Sequence, residues 1–290
     1  MPNKILLVVN PISGDKNKDE LIEQVKGSIS TNQELLVFKT TGENDGEKVL
    51  SEFKQFKPDR ILVAGGDGTV KLIAEALKSY NFSLGILPAG SSNGLATDLK
   101  LPVDDMQEAI SIALGEETKS MDALCINDQW SLHISDLGVN AELIEKYSEN
   151  LIRGKFGYAL NSIPTLIDSD YPYQFTIEAN NKKTTVEAVM LAFANSQQFG
   201  TGAMVNPGGK IDDGLFEILI FKKLDVFEIF KTLRKEAQLD TEFVEVITTK
   251  HAKVTCPSPV SFQIDGEPCG KMKEVEVDIL PNSLTIAVGK

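Results

Sequence analysis

The hydrophobic pattern changes character once along this chain, near residue 120. Before that point, short apolar runs alternate with longer stretches whose apolar residues recur at helical spacing. Ile5–Val9 is an unbroken apolar run that stops at Asn10-Pro11-Ile12-Ser13-Gly14. Leu21, Ile22, Val25 and Ile29 then repeat every three or four residues, which predicts a helix. Leu35–Phe38 reads as a second strand, and Val49, Leu50, Phe53 and Phe56 as a second helix closed by Pro58. Ile61–Ala64 reads as a strand buried on both faces and runs straight into Gly65-Gly66-Asp67-Gly68-Thr69. A helix over Val70–Leu77 follows, then a strand over Leu84–Leu87 that ends at Pro88-Ala89-Gly90. Strands alternating with helices predict an α/β fold, a doubly wound, Rossmann-like parallel sheet with helices on its faces. Ligands of such sheets bind at the carboxyl ends of the strands, where all three glycine-rich breaks lie.

After residue 120 the segments shorten and become β-branched or alternating. They are Ser120–Ile126, Trp130–Ser135, Tyr173–Glu178, Thr184–Ala194, Gly214–Phe221 and Glu274–Leu280. Turn signals separate them, such as Asn127-Asp128, Asn180-Asn181 and Pro207-Gly208-Gly209. Helical stretches at 140–167 and 225–239 interrupt this β-rich part, which is a sandwich or a partly closed barrel. The expected division is 1–122 for an α/β domain and 123–290 for a β-rich domain, leaving open a return of the last strand to the first.

Charge narrows the partners. Lys and Arg number 29 against 42 Asp and Glu, a net charge of −13. So acidic a surface repels phosphate backbones and argues against nucleic acid as a partner. It argues equally against constitutive docking on an anionic membrane, while leaving transient visits open. No apolar run approaches the roughly 18 residues of a transmembrane segment, and Ile5–Val9 is too short for a signal-peptide core. Cys125, Cys256 and Cys269 form no C-x-x-C pair, and with two histidines they make a zinc site unexpected. A reduced, cytoplasmic protein is the expectation.

The sharpest chemical signal is Gly65-Gly66-Asp67-Gly68-Thr69, placed after a strand and before a helix. Three glycines let the backbone approach a ligand closely, and the first N–H groups of the helix attract an anion. A plain strand-to-helix turn needs one glycine and gains nothing from an acid. Asp67 beside a phosphate makes sense when Mg²⁺ bridges the charges. The pentapeptide lacks the G-x-x-x-x-G-K-[ST] spacing of a P-loop.

Val8–Gly14, Gly65–Thr69, Gly85-Ile86-Leu87-Pro88-Ala89-Gly90-Ser91-Ser92-Asn93-Gly94-Leu95-Ala96, Asp212-Asp213-Gly214-Leu215-Phe216 and Asp265-Gly266-Glu267 occur in this order. Together they resemble the diacylglycerol-kinase catalytic family of soluble lipid kinases, nearly end to end. The resemblance implies a C-terminal β-sandwich domain, with ATP in the cleft between the two domains. It implies nucleotide contacts from Asn10, Pro11, Thr40, the loop Gly65, Gly66, Asp67, Gly68, Thr69, Val70 and Lys71, and then Ser91 and Asn93. It implies Glu267 as the base that takes the lipid hydroxyl proton. It places Mg²⁺ with the nucleotide near Asp67, and a second, structural Mg²⁺ at Asp213 and the carbonyls of Lys210 and Leu215. Gly138-Val139-Asn140-Ala141-Glu142 resembles the segment where sphingosine-type kinases hold the substrate head, nominating Glu142. The implied partner is a lipid at a membrane surface, reached by a soluble protein whose oligomeric state, a homodimer included, is open.

The residues allow plainer readings beside these. Asp265-Gly266 is a common hairpin dipeptide, Asp213-Gly214 a turn, and Ser91 or Ser92 an ordinary helix N-cap. Lys71, where many bacterial members carry Asn, reads slightly better as a solvated helix residue than as a phosphate contact. Gly94 stands where the diacylglycerol kinases carry an Asp, which tilts the substrate toward sphingoid or ceramide-like lipids. An NAD kinase shares Gly-Gly-Asp-Gly-Thr, but its Asn-x-Gly-x-x-Gly-Phe-Leu segment has no match here. The change at Gly94 also motivates a binding protein with little catalysis.

Overall fold

A computed structural model describes residues 2–91, 93–149, 171–197, 204–223 and 243–290, with side chains 146–149 excepted. The expected helix at 225–239, and the part of the helix at 140–167 beyond 149, lie outside the described residues. The chain forms two compact units, one of residues 1–122 with 282–290, the other of residues 123–281.

The first unit opens with strand β1 (Lys4–Val9), helix α1 (Lys18–Ser28), β2 (Glu34–Lys39), α2 (Asp45–Phe56) and β3 (Arg60–Gly65). It continues with α3 (Asp67–Ala76), β4 (Ser83–Pro88), and two short helices, α4 (Gly94–Asp98) and α5 (Met106–Ala113). The strands pair in parallel in the order β2-β1-β3-β4. Every residue of β3 is buried, as expected of a central strand covered by helices on both faces. Asn17 caps α1 by accepting from the N–H groups of Asp19 and Glu20. Leu21, Ile22 and Val25 then pack against Ile5, Leu7, Leu62 and Leu87. Gly85 lets α5 close on the sheet, since a Cβ there would lie 2.6 Å from the Cβ of Ala113.

The second unit follows β5 (Thr118–Ile126), a strand that begins in the first. It contains β6 (Gln129–Ser131), β7 (Ile134–Gly138), α6 (Val139–Glu149), β8 (Tyr173–Ala179), β9 (Lys182–Ala188) and β10 (Met190–Ala194). Then come β11 (Phe216–Phe221), β12 (Val244–Thr249), β13 (His251–Ile264) and the long β14 (Glu267–Ala287). Its strands run in the order β12-β11-β10-β7-β13-β14, with β8 and β9 on the other part of β13, and pairing is antiparallel. Phe175, Phe193, Phe216 and Phe262 centre its core. The far end of β14 belongs to the first unit, where Thr285 and Ile286 pair in parallel with Ser83 and Leu84.

Two expected strands are each broken in two. Trp130–Ser135 divides into β6 and β7 because the Asp265 carboxylate accepts from the N–H groups of Leu132 and His133, at 2.9 and 3.0 Å. Thr184–Ala194 divides at Val189, whose N–H donates to the Phe221 carbonyl while its own carbonyl accepts from Val139.

Candidate active site

Three loops of the first unit leave the carboxyl ends of parallel strands and are tied to one another. The Asn10 amide sits behind β1 and joins two of them. Its Oδ1 accepts from the Ile12 N–H, and its Nδ2 donates to Thr69 Oγ1 at 3.2 Å. Thr69 is buried against Gly65, where a Cβ would lie 2.4 Å from its Oγ1. Gly65 is glycine because the threonine hydroxyl fills the space of a side chain.

The loop after β1 also locks onto the loop after β4. Ser13 Oγ donates to the Ala89 carbonyl, and a Cβ on Gly14, with φ +57°, would lie 2.7 Å from the same oxygen. Lys18 is buried, and its ammonium donates to the carbonyls of Ser13, Lys16 and Ala89. Burial, together with the neighbouring charge of Lys16, lowers its pKa. Lys16 Nζ bridges the Pro88 and Val103 carbonyls at 3.0 and 2.9 Å. Neither lysine was nominated by the sequence. The signal for Lys18 was only its position after the α1 cap and four residues past Gly14.

The helix after the glycine motif starts earlier than expected, at Asp67 rather than Val70. Gly66 is the cap, and the carbonyl of Gly66 already accepts from the N–H groups of Thr69 and Val70. The motif is therefore the first turn of α3 itself, whose leading N–H groups have no helical partner. The Asp67 carboxylate reaches across to the next helix and accepts from the N–H groups of Gly94 and Leu95, at 2.9 and 3.0 Å. Ser92 lies outside the described residues; the capping residue of α4 is Asn93, not Ser91, and its side chain makes no cap hydrogen bond. Its amide instead closes the Gly90 turn, accepting from the Gly90 N–H and donating to the Gly90 carbonyl. The cap function passes to Asp67. Lys71 is buried rather than solvated. Thr40 is buried behind β2, its N–H donating to the Val9 carbonyl. Close by in sequence, burial would raise the Asp45 pKa, but hydrogen bonds from Thr41 and Gly42 outweigh it and hold the carboxyl below its usual range.

The remaining candidates stand in the second unit. Asp265 and Gly266 form a two-residue hairpin with φ of +50° and +87°, the mirror-image turn that suits Asp-Gly. Glu267 is the first residue of β14, exposed and paired with Ile264. Asp265 anchors the turn by accepting from Ser131 Oγ at 2.8 Å as well as from Leu132 and His133. Behind it lies a polar cluster with no signature in the local sequence. Gln263 accepts from the Gly266 N–H and donates to Asp136, which also accepts from Asn140. Asp136 is fully buried, and burial pushes its pKa up to about 6 against the pull of those two donors. Glu142 is buried in α6 and accepts from the Tyr173 hydroxyl at 3.4 Å. Asp213 is exposed in a turn whose Leu215 N–H donates to one of its oxygens at 3.1 Å. Lys210 is exposed beside it.

The first unit thus ends its parallel strands in mutually braced loops, one of them a glycine-rich helix start, and the second unit is β-rich. Residues 4–126 match the diacylglycerol kinase catalytic domain, and residues 136–288 match the YegS C-terminal NAD kinase beta sandwich-like domain. The chain belongs to the diacylglycerol kinase catalytic-domain family, in its lipid-kinase branch with the YegS-type second domain. A Chromohalobacter salexigens protein named "Probable lipid kinase YegS-like" is 28% identical over 92% of this chain and 88% of its own. One from Citrobacter koseri with the same name is 26% identical over 87% and 85%. A crystal structure of a diacylglycerol kinase from Bacillus anthracis superposes with a TM-score of 0.78 at 22% identity, over 99% of this chain and 97% of that one. Among the described residues no helix is long and apolar enough to cross a membrane.

Proposed function

We propose that this enzyme transfers the γ-phosphate of ATP to a hydroxyl of a diacylglycerol-, sphingoid- or ceramide-like lipid, with Glu267 accepting the hydroxyl proton. The observation that carries the reading is the braced trio of loops after β1, β3 and β4, one of them a glycine-rich helix start whose leading N–H groups suit an anion. Phosphoryl transfer asks mainly for positioning and charge neutralisation, which rigid backbone donors supply. In this reading Asn10, Pro11, Thr40, Gly65–Lys71 and Ser91 line the nucleotide, while Asn93 keeps the Gly90 turn closed. Glu267 is exposed at the end of a tight hairpin, where a carboxylate can meet a substrate hydroxyl. Glu142 is assigned to the lipid head group.

Mg²⁺ bound with the nucleotide would neutralise the phosphate charge. The donor set fits it: Asp67 is a carboxylate held by the N–H groups of Gly94 and Leu95 at the start of the glycine-rich helix, a hard oxygen donor of the kind Mg²⁺ takes. Asp213, with the carbonyls of Lys210 and Leu215, offers the all-oxygen ligands that suit a second, structural ion. Gly94 contributes a backbone N–H to Asp67 rather than an acid to the metal, so metal holding rests more heavily on Asp67 alone.

The test is transfer of labelled γ-phosphate from ATP to a total lipid extract, with products identified by mass. Labelled lipid from wild type and none from Glu267→Gln, which still binds ATP, is the expected result. Clear ATP binding with no labelled lipid would favour a binding protein, and formation of NADP from NAD would favour an NAD kinase.

A further inference from the structure

The hairpin that carries Glu267 stands on a polar foundation that the family motifs do not include. Gln263 is completely buried at the end of β13, directly under the turn. The Gly266 N–H donates to Gln263 Oε1 at 2.6 Å, and Gln263 Nε2 donates to Asp136 Oδ2. Because a backbone N–H can only donate, it fixes which end of the amide faces it, and the NH2 must face the carboxylate. Asn140, from the first turn of α6, donates to the same Asp136 oxygen at 2.6 Å. Asp136 lies in the middle of β7, opposite Gln263 in the register. A three-residue chain thus connects a buried carboxylate through one amide to the residue next to Glu267. A tight turn would close without it, since an Asp-Gly hairpin needs no support from a buried glutamine. Burying an amide and an acid in an apolar core is costly unless something is gained by holding them there.

We infer that Gln263, backed by Asp136, is a positioning residue that fixes the Gly266–Glu267 peptide and so the direction in which Glu267 meets the substrate hydroxyl. This rests on Glu267 acting as the base. A polar pair of fixed geometry resists the small rotations that a hairpin tip otherwise makes, and misplacing a reacting group by about an ångström costs on the order of 10²-fold in rate.

Gln263→Met keeps the volume and removes both hydrogen bonds. The expected result is a fall in kcat of about tenfold or more, with KM for ATP unchanged, in protein that still melts cooperatively. The double variant Asp136→Asn with Gln263→Glu exchanges donor and acceptor across the pair, still offers a carboxylate oxygen to the Gly266 N–H, and leaves one buried acid; the half-buried Asn140 amide, which donates to the same atom of Asp136, turns to present its oxygen to the new NH2. It is expected to recover kcat to within about threefold of wild type. Assays use labelled ATP with the lipid extract, and melting curves accompany every variant. Wild-type kcat in folded Gln263→Met would overturn the inference, as would a folded exchange variant still depressed by tenfold or more. Should Gln263→Met not fold, the exchange variant alone decides by the same criterion. Glu267→Gln is run alongside: turnover there removes the base itself, whereas a dead Glu267→Gln beside an unaffected Gln263→Met removes only the positioning role.

Discussion

Gly65 and Thr69 fill one space between them, and neither can be changed alone. A methyl group at residue 65 meets Thr69 Oγ1 at 2.4 Å with its Cβ at 2.6 Å, so the first turn of α3 has to move. Gly65→Ala is expected to lose kinase activity by tenfold or more, chiefly as a raised KM for ATP, read in the same labelled-ATP assay. Lys18 is the second such point. Its ammonium holds carbonyls of two loops, and charged hydrogen bonds contribute about 1.5–3 kcal/mol each. Lys18→Met is expected to lower stability by about 2–4 kcal/mol in urea unfolding and to weaken ATP binding with it. Burial shifts Asp136 in the opposite direction to a carboxylate held by a cation. Its pKa rises from 3.8 to about 6 on folding, so between those values the folded state holds a proton that the unfolded state has released. Stability from this group is therefore present below about pH 4 and declines as pH rises toward 6 and beyond, by about 3 kcal/mol in all. The carboxyl carbon shift of Asp136 in NMR should show a midpoint near 6; a midpoint near 4 would refute its burial as a charged group.

At the scale of elements, α3 and α4 are coupled through one carboxylate. α4 is five residues long and has no cap from its own chain neighbour, so the two N–H bonds to Asp67 are what start it. Asp67→Ala is expected to speed amide exchange through 94–98 and to cost about 1–3 kcal/mol, with turnover lost. Asp67→Asn, which keeps one acceptor, should fall between. How much of this was legible follows from what each signal depends on. β1, β3 and β4 announce themselves as apolar runs because both of their faces are covered. The start of α3 was hidden because glycines read as loop, although here Gly68 is helical. α5 leaves little trace in the pattern despite Asp105 and Glu108 at capping spacing, where Asp105 does accept from the Glu108 N–H, because eight residues give too little periodicity. The break between β6 and β7 could not be read locally at all. Asp265, more than a hundred residues away, makes it. The motif residues were legible by name, but the lysine, glutamine and aspartate that brace them act across loops, and little in their own neighbourhood marks them beyond the place of Lys18 just after the α1 cap.

The two units are not consecutive in sequence. The first is completed only by residues 282–290, after the whole of the second. There the end of β14 covers the edge of β4, and the Asn282 N–H donates to Asp122 at 2.8 Å. Deleting residues 282–290 is therefore expected to destabilise the first unit selectively. Limited proteolysis should then degrade the region before residue 122 while a fragment of the second unit persists. A parallel edge left open is also a template for pairing with another chain, so the truncated protein should aggregate on warming.

The same discontinuity governs how the enzyme is made. A ribosome adding about 5–20 residues each second reaches β4 well before it reaches β14. For on the order of ten seconds or more, the nascent phosphate loops hang on a sheet with one raw edge. Newly made copies should therefore lean on chaperones during that interval. An enzyme able to transfer phosphate would come into being only when synthesis has passed residue 286, so an interrupted chain would carry the nucleotide loops without a finished unit to hold them.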